Sequence, residues 1–147
     1  MPTLSDAFVG DNAKKNAVVD DSCVLIDEEV ASRGGISGLA LKAGYGLIKG
    51  IKPGFVRSVV SDLLSEFAAA LEPIYQESRQ SAKGIAGHFE ANGPRVADAL
   101  LQITDDKAAR SKNAMVKSTY EKLRSGAKKN VEAAVPRLAK LGERHTL

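Results

Sequence analysis

Apolar residues recur along this 147-residue chain at intervals of three and four, the spacing of one face of an α-helix. No run alternates β-branched or aromatic residues with polar ones, and no Asn-Gly or Asp-Gly hairpin joins two such runs, so no sheet is predicted. The clearest amphipathic segment begins near Phe55. Val56, Val59, Val60, Leu63, Leu64, Phe67 and Leu71 fall within about half of the helical wheel. Arg57, Ser58, Ser61, Asp62, Ser65, Glu66 and Glu72 occupy the rest, and Pro73 is expected to kink or end the helix.

A short helix, starting at Thr3 or Ser5 and stopping at Gly10, precedes a longer one capped by Asp11 and ended by Gly34-Gly35. In the longer helix Val19, Cys23, Ile26 and Val30 form a stripe, while Asp20, Asp21, Asp27 and Glu28 point away. Residues 35–52 keep helical spacing, with Ile36, Ala40, Leu47 and Ile51 on one side, expected in the core, and Lys42, Lys49 and Lys52 on the other. Each interior glycine there costs about 1 kcal/mol relative to Ala, so the close approach of another helix backbone is expected to offset it. A weaker helix is expected within residues 76–92, around Ile85, His88 and Phe89. Asn92-Gly93-Pro94 starts the next, with Val96, Ala97, Leu100, Leu101 and Ile103 as its apolar side. Thr104 or Asp105 should cap a final long element, interrupted near Ser125-Gly126 and Pro136.

Composition narrows the class. Alanine and glycine are plentiful and aromatics few, which suits helices packed closely around small residues. The single Cys23 forms no internal disulfide and fits a reducing, cytoplasmic setting. The first residues show no basic start or apolar core of a signal peptide. The longest run without Asp, Glu, Lys or Arg is eight residues, 34–41, against the roughly 20 that span a bilayer, so no transmembrane segment is expected. Neither His88 nor His145 has a ligand-type neighbour at helical spacing, so no metal and no cofactor is expected.

The net charge of +3 hides an asymmetry: residues 1–106 are acidic and residues 107–147 strongly basic. Arg110, Lys117 and Arg124 recur every seven residues and share a helix face with Lys128. A solvated face, paired with the acidic part of its own chain, accounts for this pattern. The alternative is electrostatic binding of nucleic acid by these four residues, although no stacking aromatics or named DNA-binding module accompany them. A cationic amphipathic helix around Lys42, Lys49 and Lys52 could also rest on a lipid surface, but core packing is the simpler expectation. Glu29 and Lys112 fall on the apolar sides of their helices, so either they form a structural ion pair joining the two ends of the chain or both reach solvent.

Catalytic patterns are absent. His88 reads as a boundary histidine, and His145 lies in a C-terminal segment, residues 143–147, expected to fray. Cys23 reads as a small hydrophobe, and Asp20-Asp21 and Asp105-Asp106 as solvated or capping acids. No serine occupies a nucleophile elbow and no glycine-rich phosphate loop is present. No catalytic residue is assigned, and an enzyme is not expected.

Several stretches resemble a known family: residues 35–40 (Gly-Ile-Ser-Gly-Leu-Ala), 42–45 (Lys-Ala-Gly-Tyr), 52–56 (Lys-Pro-Gly-Phe-Val), 96–101 (Val-Ala-Asp-Ala-Leu-Leu) and the region 120–124. Together they are similar to small bacterial proteins, common in actinobacteria, classed only as a domain of unknown function. The resemblance covers most of residues 15–145. It implies a bacterial, soluble, single-domain protein and carries over no catalytic residue, cofactor or substrate.

The expectation is therefore an all-α, compact bundle of five to seven helices in one domain over residues 1–147, with residues 1–10 as a short docking helix. Its core is expected to hold Val19, Ile26, Val30, Leu47, Val60, Leu63, Leu64, Phe67, Leu71, Leu100, Ile103, Val116 and Leu123. The expected role is a non-enzymatic structural or protein-interaction module, with a homodimer among its possible partners. Nucleic-acid binding is the alternative, and an apolar-ligand pocket between the glycine-rich helix and the helix from Phe55 is a third reading.

Overall fold

A computed structural model describes residues 3–146. It is all-α, with seven helices and no strand among the described residues: α1 Leu4–Val9, α2 Asn12–Ser32, α3 Gly35–Lys49, α4 Phe55–Arg79, α5 Gly84–Ala91, α6 Gly93–Ala109 and α7 Ala114–Thr146. Each of the other five helices packs against both α4 and α7, whereas the backbones of these two longest helices do not approach one another.

Local chemistry sets the boundaries. Thr3 and Asp6 form a reciprocal capping box, the Thr3 hydroxyl accepting from the Asp6 N–H at 3.0 Å and the Asp6 carboxylate from the Thr3 N–H at 2.9 Å. Asp11 caps α2 by accepting from the Lys14 N–H at 2.8 Å. Gly54, at φ +72°, turns the chain into α4 through a left-handed conformation that suits glycine. None of the three expected interruptions ends a helix. Pro73 lies inside α4, which continues to Arg79, and Gly126 and Pro136 lie inside an unbroken α7. The break comes instead after α6 runs on to Ala109, and Asn113 caps α7, its side-chain oxygen accepting from the N–H groups of Met115 and Val116.

One cluster of buried side chains joins Leu4 and Phe8 of α1, Val18 and Val19 of α2, much of α4, Phe89, Val96, and Val135, Ala139 and Leu141 of α7. Val19, Val60, Leu63, Leu64 and Leu71 are buried as expected, and Ile26, Val30, Phe67, Leu100, Ile103, Val116 and Leu123 are half-buried. Leu47 is the exception, at 54% exposed. Residues 143–146 continue α7 as helix and are tied to α2. Asp21 of α2 accepts from His145 at 2.6 Å and from Arg144 at 3.0 Å, and the imidazole meets the Phe8 ring edge-on. Met1, Pro2 and Leu147, the ends of the expected domain, lie outside the described residues.

Candidate interaction surface

Half of the α7 lysines and arginines, namely Arg124, Lys128, Arg137 and Arg144, are paired with carboxylates of other helices. Arg124 Nε and Nη2 donate to Asp105 of α6 at 2.8 and 3.1 Å, and the Tyr120 hydroxyl donates to the same carboxylate at 2.6 Å. The guanidinium holds the Asp105 carboxyl below its ordinary range, while burial, aided by the carboxylate, pushes the Tyr120 phenol up to about 12. Lys128 pairs with Asp98 at 3.0 Å, and Arg137 with Glu29 at 3.3 Å. Of the four residues considered for nucleic acid, Arg124 and Lys128 are thus in ion pairs. Arg110 sits just beyond α6, donating to the Asp106 carbonyl, and Lys117 is exposed on α7, so no single helix face carries all four.

Of the two alternatives for Glu29 and Lys112, the ion pair does not form and only Lys112 reaches solvent. Glu29, with its side chain 12% exposed, is held by Arg33 one turn on and by Arg137 of α7. Lys112 lies exposed in the α6–α7 connection. The N- and C-terminal helices are joined at Glu29 by a different cation, because α7 begins beyond Lys112. His88 is a boundary residue, lying 3.2 Å from Glu77 beside Arg95, whose bidentate contact with Glu77 holds that carboxyl down at about 2. Two concavities lie away from the α3–α4 contact. The larger, about 630 Å³ and open to solvent, is lined by α1, α2, the C-terminal end of α4, Ile85 and the last turn of α7.

The unusual feature is α3, which contributes no residue to the core cluster among the described residues. It is held by its inner side. Gly44 faces Leu123 of α7 so closely that an added Cβ would lie 2.7 Å from Leu123 Cδ1. The Tyr45 hydroxyl donates to Asp27 of α2 at 2.5 Å, and Lys49 lies over the Tyr45 ring at 5.1 Å. Burial, then the Asp27 carboxylate, raises the Tyr45 phenol above its ordinary range. Leu41 and Ile48 share this half-buried side.

The outer side of α3 is apolar and open. Ile36 is 88% exposed, Leu39 68% and Leu47 54%, with Ala40, Ala43 and Gly46 exposed among them. The helix is therefore turned relative to expectation, because Leu41 and Ile48 offered an equally apolar side and Gly44 alone fits Leu123. The expected close approach of another helix backbone is not what offsets these glycines: Gly44 meets the Leu123 side chain instead, and a Cβ at Gly46 would meet nothing within 4 Å.

A family described as a family of unknown function, DUF6918, matches residues 4–146. The chain belongs to that family. The match includes α1, which the sequence resemblance had left out, and spans all seven helices. No curated protein and no solved structure matches the chain. Among the described residues no helix is long and apolar enough to cross a membrane, and no cluster of three His, Cys, Asp or Glu side chains is arranged to hold a metal.

Proposed function

We propose that this DUF6918 protein is a non-enzymatic interaction module whose contact surface is the outer side of α3. The observation that carries the reading is the exposure of Ile36, Leu39 and Leu47 along one side of a helix anchored at Gly44 and Tyr45. Large exposed apolar side chains gathered on one element mark contact surfaces more often than singly scattered ones do. The pairing of Arg124 and Lys128 within the chain supports this reading over an electrostatic one on α7.

The test is a photo-crosslinking residue placed at Leu39 in the cells that make the protein, with Gln102, exposed on α6, as the control position. Adduct formation to protein or lipid at position 39 and none at 102 is the expected result. Equal yields, or none at position 39, would overturn the reading.

A further inference from the structure

The partner of the α3 surface has a chemistry that its border defines. No Asp or Glu occurs between Glu29 and Asp62, an interval containing Arg33, Lys42, Lys49, Lys52 and Arg57. Arg33 and Arg57 are turned to Glu29 and Asp20, but Lys42 and Lys52 are exposed without an ion pair among the described residues. Lys49 is 54% exposed, and its nearest carboxylate, Asp27, is 3.6 Å away and also exposed. From Ile36 to Leu47 the open side of α3 is thus an apolar ridge about 17 Å long, with Lys42 and Lys49 along its border, Lys52 just beyond the helix and no Asp or Glu within α3 itself.

We infer, building on α3 as the contact surface, that this ridge lies on a bilayer containing anionic lipid, with Ile36, Leu39 and Leu47 entering the headgroup–acyl boundary and Lys42, Lys49 and Lys52 among the headgroups. Helices with one apolar and one cationic side bind in the interface plane in this way. Charge favours lipid over a second copy of the chain, because a symmetric pairing would bring together two α3 helices that carry lysines and no acid of their own. Shape also favours a bilayer. Ile36, Leu39 and Leu47 stand open to solvent and neither concavity described above includes an α3 residue, so a protein partner would have to supply the cover that a deformable lipid surface provides.

The experiment is flotation of the full chain with vesicles of phosphatidylcholine alone or with one-third phosphatidylglycerol, at low and near-physiological salt. The chain should float with the anionic vesicles, less so at higher salt, and not with the neutral ones. Lys42→Gln/Lys49→Gln should weaken partitioning roughly thirtyfold, from about 1 kcal/mol per lysine near an anionic surface. Leu39→Ser/Leu47→Ser should weaken it as well. All four positions are exposed, and circular dichroism checks that each variant stays folded. Absence of flotation at low salt, or flotation that neither pair of substitutions reduces, would overturn the inference. Failure here with a protein adduct at position 39 would leave the contact surface standing and remove the lipid.

Discussion

Gly44→Ala and Gly46→Ala add the same methyl group two residues apart on α3, and their surroundings give the two changes opposite signs. In a helix interior each replacement gains about 1 kcal/mol from backbone propensity and reduced freedom of the unfolded chain. At Gly46 the new Cβ meets nothing within 4 Å, so the gain is kept, and stability should rise by about 0.5–1 kcal/mol. At Gly44 it would lie 2.7 Å from Leu123 Cδ1 and 3.3 Å from both Cγ and Cδ2, so one rotation of a terminal methyl does not clear it. Overpacking of this kind costs about 1–3 kcal/mol, which outweighs the propensity gain and leaves a net loss near 1 kcal/mol. For a chain of this size that difference moves the melting temperature by about 2–4 °C in each direction. Thermal and urea unfolding of the two variants, repeated in a Leu123→Ala background, should show the Gly44→Ala penalty vanish when Leu123 is trimmed. If Gly44→Ala stabilises as much as Gly46→Ala, or its penalty persists without the Leu123 side chain, α3 is not docked through Gly44.

Other outcomes follow from the ion pairs. Glu29→Gln should destabilise by about 1.5–3 kcal/mol, since a mostly buried carboxylate loses two arginines, while Lys112→Ala should stay within about 0.5 kcal/mol in the same melts. Equal losses would mean that Glu29 and Lys112 meet after all. Glu77, held down at about 2 by Arg95 and then His88, stabilises the fold above its ordinary value of 4.5 and loses that contribution as pH falls through the folded value. An NMR titration should therefore find the Glu77 carboxyl move up toward its ordinary range in Arg95→Ala, and no movement would contradict the assignment. Fluorescence anisotropy with duplex DNA should give a log–log salt slope no steeper than about −1.8, the value for two phosphates, because Arg124 and Lys128 are paired. A slope near −3.6 would require Asp98 and Asp105 to release them.

The α4 stripe was legible because its polar half leaves one side to bury, and Val60, Leu63, Leu64 and Leu71 lie there. The side of α3 was not, since Leu41 and Ile48 offer one apolar side and Ile36 and Leu47 another, and the choice was made by a distant contact, Gly44 on Leu123. A period of 3.6 cannot encode such a long-range fit. Pro73 read as a kink or an end, and Gly126 and Pro136 as interruptions, yet α4 and α7 continue past them, tertiary packing on five shared neighbours outweighing local propensity. Carrying the final helix back to Thr104 or Asp105 also put Arg110 and Lys112 in helical register with residues beyond Asn113, which the true break at 110–113 dissolves. Leu4 and Phe8 were missed because a six-residue helix shows too few turns for its buried side to stand out. The lysines bordering α3 were visible in the sequence, and what the structure added is that the apolar residues between them face outward.

The chain contains no tryptophan, so a single one placed by Leu39→Trp reports on the outer side of α3 without background. Titrated with anionic vesicles, its emission should shift to the blue as the indole leaves water, while a Gln102→Trp control on α6 stays unchanged. An unmoved Leu39→Trp signal, or equal shifts at both positions, would contradict the assignment of the outer side of α3 as the side that meets an anionic bilayer.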